Sequence, residues 1–135
     1  MDYSQNVGLP QFGASQAGPS YYYSPLNVYI FGIVDCGVEG GQLDAFVYTE
    51  GKGLKGGNNV ASLLMIYLKK KGWLDEYHYA PELNILLDNC SGQNKNNMVL
   101  RLAGLLVECQ YFERVNVIFW IAGHTKNAAD RWYVQ

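Results

Sequence analysis

The second half of the chain alternates strand-like and helix-like apolar patterns, and this alternation constrains the fold most strongly. From Val60 to Leu68, apolar side chains recur at intervals of three and four residues, which is typical of one buried helix face. The runs ELNILLDN and RVNVIFWIAG are short and apolar, as buried strands are. Between them, Met98 to Cys109 is apolar and long enough to predict a well-buried helix. Strands separated by helices pair in parallel through right-handed crossovers.

A different pattern fills the first half. Leu26 to Val34 is dense in β-branched and aromatic residues, and QLDAFVYTE follows after a glycine-rich turn, so the two segments predict an antiparallel hairpin. The next helix is expected to be capped by Asn58 or Asn59. Residues 4–20, rich in Gly, Gln, Ser and Pro, predict a long loop or an extended arm. The whole pattern predicts an α/β fold, a mixed sheet with helices on its faces.

Composition and charge limit the classes of protein to which the chain can belong. The 135 residues suit a single domain, and 49% hydrophobic residues exclude intrinsic disorder. The formal net charge of −2 is evidence against strong, independent DNA binding, which calls for a basic face. Three cysteines without metal-knuckle spacing indicate reduced thiols, as in the nucleus or the cytoplasm. Neither a signal peptide nor a membrane-length apolar run is present in the sequence, so we expect no secretion and no membrane partner.

Two polar segments follow predicted strands and carry candidate functional residues. Asp88 directly follows an apolar run, and ligands of open α/β sheets collect at the carboxyl ends of strands. His124 and Asp130 follow the last predicted strand. The alternative for Asp88 is that its side chain caps the next turn, and for the other two a surface position. The Tyr21–Tyr23 cluster favours packing in the core or sheet over base stacking.

The segments DNCSGQNKNN and FWIAGHTKNAADRWY resemble a family of poorly characterised, transposon-related domains with an RNase H-like fold of the transposase and integrase type. That family joins Asp-Asn-Cys at a strand end with Gly-Gln-Asn-Lys-Asn, and a Gly-His-Thr-Lys and an Asp-Arg come later. The opening MDYSQNVGLPQFG is similar to the end of the family's first strand, so the resemblance covers nearly the whole chain. GHTKNAAD is also similar to the last motif of RNase H proper.

The resemblance implies a site and a chemistry. Asp2, Asp88 and Asp130 are then the metal-binding carboxylates, and His124 assists product release or proton transfer. The expected cofactor is Mg²⁺ or Mn²⁺, because such cations prefer hard oxygen ligands. Two of them align and polarise a phosphodiester for hydrolysis or strand transfer. DNA, or RNA, is the expected partner of the full-length protein.

Some residues depart from this family pattern. Asp35 also ends a predicted strand and is the rival of Asp2 for the first carboxylate, unless it is a turn residue. RNase H proper has an acid in its first helix, where this chain has the uncharged Asn59, and Glu50 lies upstream of that helix. A fourth carboxylate is therefore in doubt.

The first strand of the RNase H-like sheet is central, and here it is predicted to be cut down to about Met1 to Gln5. We therefore interpret residues 1–135 as a single domain that is incomplete at both ends, a fragment whose residues 1–20 form a short first strand and a long loop. The competing hypothesis for function is a catalytically inactive, transposon-derived remnant or a binding module.

Overall fold

The structure is a computed structural model that describes residues 1–12, 18–75, 81–88 and 96–120. No helix within these ranges combines the length and the apolar character that a membrane crossing requires. The described residues form six strands and two α-helices, and Gly18–Tyr22 adds a short 3-10 helix. In chain order the elements are β1 (Asp2–Tyr3), β2 (Val7–Leu9), β3 (Leu26–Asp35), β4 (Gln42–Thr49), α1 (Gly57–Lys70), β5 (Glu82–Leu87), α2 (Asn97–Glu108) and β6 (Arg114–Phe119).

The antiparallel half of the sheet is built around β3. Strand β4 pairs with β3 along its length, which confirms the predicted hairpin. Strands β1 and β2 both pair with the opposite edge of β3, with Asp2 opposite Gly32 and Val7 opposite Val28. Strand β2 adds detail to the predicted short first strand and extended arm, because the ladder resumes after Ser4 and includes part of that arm.

The parallel half consists of β5 and β6, paired in register from Glu82 with Arg114 to Leu87 with Phe119. The parallel pairing predicted from the strand–helix–strand order is confirmed. The amino group of Met1 donates a hydrogen bond of 2.9 Å to the carbonyl oxygen of Leu86. The described strands therefore form a four-stranded antiparallel sheet and a two-stranded parallel sheet, and this bond beside β1 links the two, which gives the order β4, β3, β1, β5, β6 at this level.

The core lies between this sheet and the two helices. The predicted apolar face of α1 is confirmed, because Val60, Leu64 and Leu68 are buried. Helix α2 packs its own buried side chains into the same cluster. Helices were expected on the faces of the sheet, and within the described residues α1 and α2 contact each other and pack into this one core cluster. The largest fully buried side chains of the core are Phe31, Leu68, Leu87, Leu106, Val60 and Val99.

The helix caps differ from the prediction. Gly56 occupies the N-cap position of α1, and no side chain caps that helix. Asn59 instead donates through Nδ2 to the hydroxyl of Tyr48 at 3.4 Å, because tertiary contacts of the preceding loop fix its amide. Helix α2 does have a side-chain cap, since Asn96 Oδ1 accepts from the backbone N–H of Met98 at 2.9 Å and of Val99 at 3.2 Å.

Two predictions of burial were wrong. Helix α2 buries only one face, because Leu106 is 1% exposed whereas its neighbour Leu105 is 53% exposed. Tyr21–Tyr23 were expected to pack in the core or sheet, and all three side chains are exposed. Both segments contain runs of consecutive apolar or aromatic residues. The sequence pattern therefore cannot show which of these side chains are buried.

An ion-pair cluster joins β4 to the end of α1. Lys70 Nζ lies 2.6 Å from Asp44 Oδ1, and Lys71 Nζ lies 3.2 Å from Oδ2 without hydrogen-bond geometry. The hydrogen bond from Lys70 lowers the pKa of Asp44 below its ordinary value of 3.8, against the opposing effect of burial. Because the pKa of Asp44 is lower in the folded state than in the unfolded state, the ion pair stabilises the fold fully at pH values above 3.8. This stabilisation disappears as the pH falls through the lowered pKa of the folded state.

We therefore expect Asp44→Asn to lower the free energy of unfolding at pH 7 by about 1 kcal/mol and to have a smaller effect near pH 2. Urea unfolding at a series of pH values between 2 and 7 measures the difference. Glu39→Gln, which removes an exposed carboxylate in the β3–β4 turn, is the matched control. A loss of stability in Asp44→Asn that stays constant across this pH range contradicts the assignment.

Candidate functional site

The carboxyl end of β5 meets the start of β1. Met1 donates to the carbonyl oxygen of Leu86, and in a parallel ladder such a bond makes Met1 the lateral neighbour of Leu87. Asp2 follows Met1, and Asp88 follows Leu87, the last residue of β5, so a continuation of the same ladder would make the two aspartates lateral neighbours. Adjacent strands lie about 4.8 Å apart, which brings two residues that are 86 positions apart in sequence to adjoining places on the sheet.

The alternation of side chains along a strand would place both carboxylates on the same face. Side chains alternate between the two faces of a strand, and Met1 and Leu87 are buried in the helix-covered core, 8% and 0% exposed. Asp2 and Asp88 therefore lie on the other face, where both are partly exposed. One oxygen of Asp2, Oδ1, accepts a hydrogen bond of 2.7 Å from the backbone N–H of Tyr3.

Lys55 brings a positive charge close to Asp2, and it was missed in the sequence. Its Nζ donates to the carbonyl oxygen of Ser4 at 2.9 Å and lies 5.0 Å and 5.5 Å from the ring centroids of Tyr3 and Tyr29. Burial lowers the pKa of Lys55, and the negative charge of Asp2 opposes that shift. The GKGLKGG segment gives one signal, a lysine in a glycine-rich segment after a strand, but it lacks the serine or threonine of a phosphate loop.

A tyrosine network holds the loop that carries Lys55. The hydroxyls of Tyr3 and Tyr48 are 2.7 Å apart, and Tyr48 donates to the carbonyl oxygen of Leu54 at 3.4 Å. Burial raises the pKa of Tyr3, and the hydrogen bond with Tyr48 adds to the rise. A Cβ at Gly53 would lie 2.3 Å from Asn59 Nδ2, so the glycine permits the close approach of this loop to α1.

The remaining sequence candidates lie elsewhere or outside the described residues. Asp35, at the end of β3, accepts from the N–H of Gly37 at 3.0 Å and is three residues along the strand from the partner of Asp2. Glu50 accepts from Asn27 Nδ2 at 2.8 Å, beyond the other end of the β1 pairing. Neither contact places these carboxylates beside Asp2. His124 and Asp130 fall in residues 121–135, outside the described residues.

The donor set at this site consists of hard oxygen atoms. Within the described ranges no group of three or more His, Cys, Asp or Glu side chains is arranged to hold a metal ion. Asp2 and Asp88 offer at most two carboxylates, and Mg²⁺ is commonly bound through one or two carboxylates while it keeps several waters. The repulsion between two neighbouring carboxylates is relieved by a cation. The two residues therefore fit Mg²⁺ or Mn²⁺ in the type of their atoms.

Comparison with known proteins gives one positive result. No curated protein and no solved structure matches the chain significantly. A family model described as a domain of unknown function, DUF7869, matches residues 21–135. The matched range includes Asp88, His124 and Asp130, whereas Asp2 precedes it. Because the match spans most of the sequence, the chain belongs to the DUF7869 family of domains of unknown function.

Proposed function

We propose that the chain is an RNase H-like domain of the transposase and integrase type, which processes nucleic acid with Mg²⁺ or Mn²⁺. The observation that carries this proposal is the lateral position of Asp2 beside Asp88 on one face of the sheet. The strand order β4, β3, β1, β5, β6, with β1 central, supports the RNase H-like assignment. The reaction is hydrolysis of a phosphodiester or strand transfer, with DNA as the expected substrate and RNA as the alternative.

In this proposal Asp2 and Asp88 supply carboxylate oxygens, and Asp130 completes the ligand set. Bound divalent cations would polarise the phosphodiester and stabilise its attacking and leaving oxygens. His124 assists proton transfer or product release. The ammonium of Lys55, which the Ser4 carbonyl and two tyrosine rings orient, contributes positive charge near Asp2 that attracts a phosphate.

Exposed aromatic side chains support contact with a nucleic acid. Tyr21, Tyr22 and Tyr23 are 75%, 86% and 75% exposed, and the rings of the first two form an edge-on pair with centroids 5.7 Å apart. Aromatic rings bind unpaired bases by stacking, largely regardless of base identity.

The second candidate function is a catalytically inactive, transposon-derived remnant or binding module. The acidic net charge favours it, and so does Asn59, which hydrogen-bonds to Tyr48 and brings no negative charge to the start of α1. An inactive module retains the fold and gains nothing from a divalent cation. The two hypotheses therefore differ in a property of the purified protein that needs no substrate.

The test is thermal unfolding with and without Mg²⁺ or Mn²⁺ at matched ionic strength. The metal is added at about 10 mM, which is about ten times a Kd near 1 mM. Mass action then gives about 1.4 kcal/mol, a rise in Tm of a few degrees. We expect Asp88→Asn and Asp2→Asn to lose this rise and the exposed control Glu39→Gln to keep it. A labelled single-stranded DNA incubated with Mn²⁺ then tests cleavage. A cooperative melt that is indifferent to both metals refutes the metal-dependent enzyme and leaves the binding module.

A further inference from the structure

Helix α2 keeps apolar side chains on the surface that it turns away from the core. The side chains that it buries are Val99, Leu102, Ala103 and Leu106. The apolar side chains of the same helix that remain between 38% and 53% exposed are Met98, Leu100, Leu105 and Val107. Single exposed apolar residues are common on protein surfaces, whereas several on one short helix indicate a contact surface.

Two opposite charges and a glycine lie between these exposed apolar residues. Arg101, Gly104 and Glu108 follow one another at intervals of three and four residues, so they form a line along the helix opposite its buried side. All three are exposed, and the ion pairs within the described residues include neither Arg101 nor Glu108. We call this line, together with the exposed apolar residues beside it, the outer face of α2.

Gly104 leaves a gap in the middle of the outer face. A Cβ at this position would meet nothing within 4 Å, so the packing of the described residues does not require a glycine there. Glycine also weakens the interior of a helix relative to most other residues. On an exposed line, however, a glycine permits a second helix to approach closely, to about 8 Å between the helix axes.

The charges are arranged so that the outer face complements itself. In a dimer with two-fold symmetry, the same surface of both copies is in contact. An axis that passes between Gly104 and Leu105 makes the two α2 helices antiparallel, and these two residues then meet their own copies. Arg101 and Glu108 are equally far from that axis along the helix, so each Arg101 lies opposite Glu108 of the other copy. A parallel pair of helices would instead bring like charges together.

We propose that the chain forms a homodimer through the outer face of α2, with antiparallel helices that cross at Gly104. The ion pairs between Arg101 and Glu108 select the antiparallel arrangement, and Leu105 packs on Leu105 of the other copy. Helix α2 has 12 residues and is about 18 Å long, so two copies bury less than the roughly 1,600 Å² of a standard interface. The dimer is therefore weak, with a Kd of about 10–100 µM. This inference is independent of the proposed function.

Sedimentation equilibrium of the whole chain between about 5 and 500 µM tests the proposal, at about 50 mM salt so that the ion pairs are little screened. The protein is expected to be monomeric at the low end of this range and dimeric at the high end. Arg101→Glu brings carboxylates together at both ends of the interface, and Glu108→Arg does the same with cations. Each of these variants should dimerise at least about tenfold more weakly than the parent protein.

Two combinations of these substitutions restore the charge match. The double variant Arg101→Glu/Glu108→Arg should regain the Kd of the parent protein. An equimolar mixture of the two single variants should form a heterodimer, because every charge again faces its opposite, although neither variant associates with itself. Misfolding of either variant cannot produce this pattern. Lys69→Glu, which reverses an exposed charge on α1, is the matched control and should dimerise like the parent protein.

Gly104→Gln separates dimerisation from the stability of the helix. Glutamine favours a helix more than glycine does, and its Cβ meets nothing in the monomer, so this variant should have a higher Tm than the parent protein at about 5 µM. Its longer side chain keeps the two helices apart, so dimerisation should weaken at least about tenfold.

Three results would overturn the proposal. A parent protein that stays monomeric at about 500 µM leaves the outer face to a different protein. A dimer that persists unchanged in both single charge variants places the contact elsewhere on the surface. A mixture of the two single variants that does not associate shows that Arg101 and Glu108 do not face each other between copies.

Discussion

Replacement of Leu106 by alanine is expected to destabilise the protein by about 2–5 kcal/mol, the usual effect of a Leu→Ala cavity in a packed core. Leu106 is 1% exposed and packs into the cluster beneath the sheet. The same substitution at Leu105, which is 53% exposed, is expected to change the free energy of unfolding by less than about 0.5 kcal/mol. The two residues are both leucines of the same helix, and each substitution changes the helix propensity equally. The difference between their losses of stability therefore measures the effect of burial.

Guanidinium chloride unfolding, followed by circular dichroism, measures both variants. A loss of about 2 kcal/mol or more would be a large part of the total stability of a domain, which is about 5–15 kcal/mol. Leu106→Ala should therefore lower the denaturant concentration at the unfolding midpoint strongly. Leu105→Ala should have a midpoint close to that of the parent protein. Equal losses in the two variants would mean that α2 is buried on both sides, as the sequence alone predicted, and that the packing described here is incorrect.

This helix shows why part of the fold was not predictable. In MVLRLAGLLVEC nearly every position is apolar, so periodicity identifies a helix but not the side that packs. Helix α1 has polar residues between its apolar ones, and there the buried face around Val60, Leu64 and Leu68 was predicted correctly. The parallel and antiparallel strands were likewise predictable, because each is a separate apolar run bounded by turn residues.

The candidate site was accessible to sequence reasoning only in part. Asp88 could be identified from its place after an apolar run, but its neighbour Asp2 is 86 residues away, and only the family resemblance suggested the pair. Lys55 was missed, because its position depends on the loop that the Tyr3 and Tyr48 hydroxyls hold. These features come from tertiary contacts, for which no local pattern exists.

The core and the candidate site are coupled through Phe31. This residue is 0% exposed, lies on β3 next to Gly32, the partner of Asp2, and stacks in a tilted arrangement on Tyr3 with ring centroids 4.7 Å apart. Phe31→Ala removes the support beneath β1 as well as a core side chain. We expect a loss of about 3–5 kcal/mol in the free energy of unfolding. Under the proposed function, we also expect Mn²⁺ to give no rise in Tm in this variant, because β1, which carries Asp2, has lost its support.

Two further variants separate these effects. Phe12→Ala, at a phenylalanine that is 39% exposed, should change stability by less than about 1 kcal/mol and keep the response to Mn²⁺. Phe31→Leu keeps most of the apolar volume, so it should lose less than about 1.5 kcal/mol and retain part of the rise in Tm with Mn²⁺. The measurement is unfolding with and without the metal for all three variants. A full metal response in Phe31→Ala would show that the position of Asp2 does not depend on this contact, and that β1 is held by its hydrogen bonds to β3 and to Leu86 alone.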